Sequence, residues 1–394
     1  MKSVKEAKNI VVENAIRLHS IMLNLNDALG YTVSDSIFSP FQLPNFRQSS
    51  MDGYAIQFKD IQNTLIVQDE LPAGIAKEIQ LKEGQAIKVF TGGPIPDDAN
   101  MVVQKEWVSV CENKISIDAE KIISNKIQTG LNIRERGSAI EKNELVIAKG
   151  TVLNSFQISL LASLGLTKIA VYKKPNIAII ITGNELVQPG NSLLKGQVYE
   201  SNSFGLKAAL KSAGIESVNI FFAKDTLTET VDSIQQALAW ADLVLLTGGI
   251  SVGDYDFVAT ACASVGIETL FHGVLQKPGK PLFVGKINSR LVFGLPGNPS
   301  SVLSCFQQYV LPALALLTGK LPPSPEMIPL QHSFEKKAGL CFFLKAYVSN
   351  GRVSVLPAQA SFQLSAFTQA NCWIELEETL TVVAENTPVP IYRF

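Results

Sequence analysis

Apolar positions recur at near-helical spacing through the first thirty residues. Val4, Ile10, Val11, Leu18, Ile21, Leu25 and Leu29 fall close to one face, with Asn14 the polar exception. The spacing predicts one helix over 4–30 that stops at Gly30. The pattern then shortens. Runs at 54–58, 65–68, 86–90, 101–110 and 114–117, with turn residues between them, predict an all-β module. A further segment, 140–172, reads as a helix at 154–165 bounded by strands.

The period changes again after Pro175. Residues 176–182 form a continuous apolar run of strand length, 201–213 a helix closed by Gly214, 218–222 a strand, 226–241 a helix and 243–247 a strand. Strands alternating with helices predict a right-handed parallel βαβ sheet, whose ligands sit at the carboxyl ends of the strands. A last long helix starts at Asn298-Pro299, with proline at the first helical position. It runs to Thr318, kinks at Pro312 and stops at Gly319. Residues 321–329 are a proline-rich linker, and 330–394 alternate in short strands. The expected class is α/β with all-β modules: a multidomain chain around a central parallel sheet.

Composition narrows the function. The 394 residues suffice for two to four domains, and 46% apolar with 18% charged residues suits a large buried core. The net charge of −1 lacks the basic surplus of a general nucleic-acid binder. The N-terminus lacks the apolar core of a signal peptide, and no run of about 18 apolar residues stands out, so no membrane span is expected. Five scattered cysteines and three distant histidines argue against a disulfide framework, a zinc site or a histidine relay, and fit a reducing cytoplasm.

Three glycine-bearing loops follow strands of the βαβ region: ITGNELV (181–187), LLTGGISVGDYDF (245–257) and FGLPGNPSS (293–301). Glycines allow close backbone approach, and a helix N-terminus offers free N–H groups to an anion. Each loop alone also suits an ordinary tight turn. QKPGKP (276–281) adds Lys277 and Lys280, which are either a solvated turn or a pair that neutralises an oxyanion. Glu185, Asp225, Asp254 and Asp256 lie in the same region. Carboxylates beside a polyanion make sense if a cation such as Mg²⁺ bridges them; Asp225 and Asp254 are equally suited to capping helices. In the first half, SSMDGYAI (49–56), TGGPIP (91–96) and NIRERGSAI (132–140) read by themselves as turns.

Taken in order, SxMDGYA, TGGPxP, NIRxRG, TGNEL, TGGxSVGDYD, KPGKP and GLPGNPxS resemble the molybdopterin molybdenumtransferase family, which includes MoeA and the gephyrin E domain. QASFQLSAFTQAN (359–371) is loosely similar to the family's C-terminal pattern. The resemblance implies a homodimer of four-domain chains: a discontinuous first domain (1–44 and 132–173), an inserted β domain (45–131), a molybdopterin-binding α/β domain (174–320) and a C-terminal β-barrel-like domain (321–394). It implies insertion of molybdate into adenylylated molybdopterin with Mg²⁺-dependent release of AMP, with molybdopterin adenylyltransferase as pathway partner. Glu185, Asp225 and Asp256 would hold Mg²⁺ and water. Thr182, Gly183, Gly248, Gly249 and Ser251 would hold the pterin phosphate. Lys277, Lys280, Pro281, Gly297, Asn298, Ser301, Lys345 and Ser361 would face the oxyanion, and Asp52 and Thr91 would reach the cleft across the dimer. The family often has arginine at Lys345. It usually reads Gly-Glu-Asp where this chain has Gly137-Ser138-Ala139, so a neighbour such as Glu141 would have to stand in for the missing acid. A non-catalytic pterin-binding or scaffold paralogue is the alternative. A generic nucleotide enzyme is disfavoured, because neither GxGxxG after the first strand nor a Walker A motif is present.

Overall fold

The computed structural model describes residues 1–75, 77–125, 127–250 and 257–394. They fall into two units: 1–34, 150–155 and 168–394 in one, and 35–149 with 156–167 in the other.

A six-stranded sheet forms the centre of the first unit. Its order is Val218–Ala223, Ile177–Thr182, Leu243–Thr247, Arg290–Leu295, Phe283–Ile287 and Glu268–His272. The two central strands Ile177–Thr182 and Leu243–Thr247 are buried throughout, because helices cover both faces. Side chains alternate accordingly. Ile177, Ile179, Ile181, Leu243 and Leu245 meet Leu206, Leu210, Val302 and the N-terminal helix on one face. Ala178, Ile180, Val244 and Leu246 meet Ile234, Ala237, Val258 and Ala261 on the other.

Five of the six strands run in one direction; Phe283–Ile287, next to the edge, pairs antiparallel with both of its neighbours. The parallel expectation is thus corrected at that one strand. The cause is a tight hairpin at Asn288, whose φ of 53° takes the left-handed conformation that asparagine tolerates.

The long N-terminal helix is also corrected. Helix Val4–Asn14 opens on a capping box between Ser3 and Glu6 and ends at Ala15, which is extended. Ser20–Asn24 is instead a strand, paired antiparallel with Lys168–Tyr172. Its helix-like spacing yields to a distant partner that satisfies its backbone groups. The long apolar helix reads as expected at its start, with Asn298 as N-cap and Pro299 in the first turn. It passes through a π-turn at Phe306–Val310, just before Pro312, and reaches Leu317. By length and composition Pro299–Leu317 could cross a membrane, but 72% of it is buried inside the protein. The expectation that no such run exists is corrected here, and the run's apolarity is that of a core helix.

The C-terminal part of this unit is a β-sheet ordered Gln276–Lys277, Cys341–Ser349, Cys372–Leu376, Pro388–Arg393, Glu326–Pro329, with Arg352–Val355 beside Cys341–Ser349. The second unit carries its own six-stranded sheet: Met101–Gln104, Gly53–Ile56, Gln85–Val89, Leu65–Leu71, Lys114–Ile117, Val108–Cys111. The expected run 101–110 is broken there by a 3₁₀ turn, Lys105–Trp107. Alternate residues of Gly53–Ile56 serve two cores, Tyr54 and Ile56 in one and Ala55 in the other. Cys111 is exposed, and Cys262, Cys305, Cys341 and Cys372 are buried.

Candidate active site

Thr182, Ala223, Thr247 and Leu295 stand level at the carboxyl ends of the parallel strands. The loops after them therefore open on one edge and frame a cleft of about 770 Å³. The first loop contributes Thr182, Gly183 and Glu185, the second Gly248 and Gly249, and the third Gly297, Asn298 and Pro299; Asp225 and Pro281 complete these walls. At Gly248, φ is +95° and a Cβ would lie 2.4 Å from the Thr182 carbonyl oxygen, so only glycine lets the second loop cross the first strand end.

Glu185, Asp225 and the buried Glu200 are the described carboxylates that line the cleft. Asp225 is not the helix cap: Thr226 takes that role by accepting from the Glu229 N–H. Asp225 accepts instead from the Asn184 N–H at 3.1 Å, while its own N–H donates to Asn184 Oδ1 at 3.3 Å. This exchange sets Asp225 beside the loop that carries Glu185. Among the described residues no group of three or more His, Cys, Asp or Glu stands close enough to hold a metal ion. Asp256, the third expected ligand, and Ser251 and Asp254 lie outside the described residues. Glu185 and Asp225 would offer a Mg²⁺ ion two hard oxygen donors.

The KPGK lysines part company. Lys280 is exposed next to Pro281. Lys277 is held by the pairing of Gln276–Lys277 with Cys341–Phe342, and its Nζ lies 5.4 Å from the Phe342 ring centroid. It lines a separate recess with Lys336 and Lys337 rather than the cleft. Ser301 is buried in the first helical turn, where its N–H donates to the Asn298 carbonyl, and it is not a wall of the cleft. Beneath the turn, burial pushes the Cys305 thiol up to about 12, so it stays protonated and inert.

Lys345 also departs from expectation. It is 1% exposed, and its Nζ donates to the Ala360 and Gln363 carbonyls at 3.3 and 2.8 Å. Burial lowers its pKa. Its charge is spent on a turn rather than on a ligand, because its strand directs the side chain inward. That turn carries Ser361, whose Oγ accepts from Asn298 Nδ2 at 3.1 Å, and Phe362, a wall of the cleft. Lys345 thus holds the turn that carries Ser361 and Phe362.

The cleft has further walls that motif reading missed: Tyr199, Glu200 and Asn202. A polar string at a predicted helix start, YESN, was the available signal.

Asp52 and Thr91 belong to the second unit. There Asp52 Oδ1 accepts from the Thr91 N–H at 2.9 Å and from its hydroxyl at 2.8 Å, and Lys105 lies 3.5 Å from Oδ2. The Thr91 N–H, its hydroxyl and Lys105 hold the Asp52 carboxyl below the usual range. Near the Ala139 departure, a Cβ on Gly137 would meet the Glu141 carboxylate at 2.6 Å, so an acidic group does lie against this loop.

Comparison with known proteins agrees with this layout. Residues 2–165 match the MoeA N-terminal region (domain I and II), 178–316 a probable molybdopterin binding domain, and 328–394 the MoeA C-terminal region (domain IV). A molybdopterin molybdenumtransferase of Haemophilus influenzae is 33% identical over 94% of this chain and 93% of its own.

The chain belongs to the molybdopterin molybdenumtransferase family.

A member from Staphylococcus epidermidis is 32% identical over 95% of this chain and 91% of its own. A crystal structure of a molybdopterin biosynthesis MoeA protein from Pyrococcus horikoshii superposes with a TM-score of 0.86 at 28% identity, covering 99% of this chain and 98% of that one. The family is one of transferases in molybdenum cofactor biosynthesis, and the mixed α/β multidomain fold is common to its members.

Proposed function

We propose that this protein inserts molybdate into adenylylated molybdopterin with release of AMP. The observation that carries the reading is the cleft itself: three glycine loops at the carboxyl ends of the parallel strands, Glu185 and Asp225 among its walls, and Phe362 from the turn that Asn298 touches through Ser361. The glycine loops let backbone N–H groups approach a phosphate closely. Thr182 and Asn298 supply hydroxyl and amide groups beside them. Glu185 and Asp225, with Asp256, would hold Mg²⁺, which when bound neutralises phosphoanhydride charge. Asp225 is steadied by Asn184, so its carboxylate keeps one orientation toward the bound nucleotide. Lys280 supplies a cation for the oxyanion from the turn beside Pro281. In the overall change water adds across the phosphoanhydride to give AMP and the molybdopterin phosphate, and the two dithiolene thiols bind molybdenum, their protons leaving with a displaced molybdate oxygen as water.

The reading extends to a cytoplasmic homodimer of four-domain chains, fed by a molybdopterin adenylyltransferase. Asp52 and Thr91 would serve the partner's cleft. Glu141 would stand in for the acid absent at Ala139; this supports catalysis over a scaffold role.

The test is direct. Purified protein receives adenylylated molybdopterin, molybdate and Mg²⁺, and AMP is quantified. Molybdate-dependent AMP release is expected, and its absence from folded protein overturns the reading. Tight pterin-nucleotide binding without turnover would point to the scaffold alternative.

A further inference from the structure

We infer that Asn202 is a positioning residue that ties two of the three cleft loops together. The inference deepens the molybdopterin-nucleotide reading and rests on it for the identity of the ligand. Asn202 opens the helix Asn202–Ser212 and lines the cleft. Its Nδ2 carries two protons, and each serves a different loop: one goes to Thr247 Oγ1 at 2.8 Å, the other to the Gly297 carbonyl at 2.8 Å. Thr247 ends the strand directly before Gly248 and Gly249. Gly297 directly precedes Asn298, whose own amide donates to Ser361. One side chain therefore holds the second loop and the third loop in register, and the third loop continues the chain of contacts to the Phe362 turn.

The chemistry selects asparagine. The task needs two donors on one planar nitrogen at short reach. Serine or threonine offers one donor, and aspartate offers none. The residue is itself fixed from behind. Glu200, 1% exposed, accepts from both the N–H and the hydroxyl of Ser203, which anchors the helix start.

A second observation separates positioning from stabilising. Asn202 Oδ1 is buried and has no hydrogen-bond partner among the described residues. A buried acceptor left unpaired opposes folding and offsets the two donor bonds. The amide is therefore worth little to stability, and its value lies in where it sets the loops.

Four variants test this: Asn202→Ala, Asn202→Asp, Thr247→Val, and Asn202→Ala with Thr247→Val. KM for pterin nucleotide, KM for molybdate, kcat and melting temperature are measured for each. Asn202→Ala should raise the pterin-nucleotide KM about tenfold, with the molybdate KM within about twofold and the melting point within about 2 °C. Asn202→Asp should be at least as impaired, because its charge faces the Gly297 carbonyl. Thr247→Val should be milder, and the double variant no worse than Asn202→Ala alone, since both act through one tie. An unchanged pterin-nucleotide KM in Asn202→Ala overturns the inference. So does a parallel rise in both KM values with a falling melting point, which is the mark of general structural damage. If the wild type binds pterin nucleotide without turnover, the catalytic reading fails. The tie is then judged by the same tenfold change in dissociation constant. If the wild type does not bind it, both readings fail.

Discussion

At the scale of single residues, Gly248 sets the tightest limit on the cleft. A methyl group there would press on the Thr182 carbonyl and hydroxyl at 2.4 and 2.6 Å while φ stays at +95°. Gly248→Ala should cost about 1–3 kcal/mol in strain and weaken pterin-nucleotide binding; chemical denaturation and titration calorimetry check the two effects. Asp52 makes a prediction about pH. Its carboxyl is held down chiefly by the Thr91 N–H, so the charged form is the one that the fold favours. The contact is complete at neutral pH and is lost as pH falls through the depressed pKa. The Thr91 amide resonance should titrate with a midpoint below that of an unperturbed aspartate, and Thr91→Val should move the midpoint upward. Lys345 makes a third. Lys345→Met removes both donors to the 360–363 turn and should cost about 1–3 kcal/mol in denaturant unfolding, with pterin-nucleotide affinity lowered through Phe362. A direct ligand role would lower molybdate affinity first, and calorimetry with molybdate alone distinguishes the two.

Among the elements, the helix Pro299–Leu317 carries an unusual load. Ser300, Ser304 and Gln308 lie on it, all buried and all with side-chain atoms lacking a hydrogen-bond partner among the described residues. Gln308 sits inside the π-turn Phe306–Val310. Removing an unpaired hydroxyl from an apolar surrounding leaves nothing unsatisfied, so Ser304→Ala should be neutral or stabilising by about 1 kcal/mol, measured as a rise in melting temperature. A fall of that size would show that a water fills the face. The start of this helix was legible in the sequence because Asn298 and Pro299 are local signals. So were the strands Ile177–Thr182 and Leu243–Thr247, where a continuous apolar run between turn residues has one compact solution. The strand Ser20–Asn24 was not legible, because its alternation is short and its partner, Lys168–Tyr172, lies far along the chain.

On the scale of the whole molecule, two units of the chain carry the residues that the family motifs single out. Asp52 and Thr91 lie in one; Thr182, Glu185, Asp225 and Asn298 lie in the other. The proposed homodimer predicts a light-scattering mass near twice 42.7 kDa. It also predicts that mixing Asp52→Ala chains with Glu185→Ala chains restores part of the activity that each lacks alone. A monomeric mass, or no complementation on mixing, counts against a shared cleft. By itself the sequence determined the order of strands and helices from 176 to 247, the start of the long helix at Asn298, the positions of the glycine loops and the family. These follow from local period, turn chemistry and motif order. Only the tertiary structure decided that Lys277 turns to Phe342, that Lys345 points inward to a turn, that the strand Phe283–Ile287 runs against its neighbours, and that Asn202 bridges two loops. Each of these depends on which distant strand a residue pairs with. Pairing sets the direction of a side chain, and residue spacing along the chain does not record it.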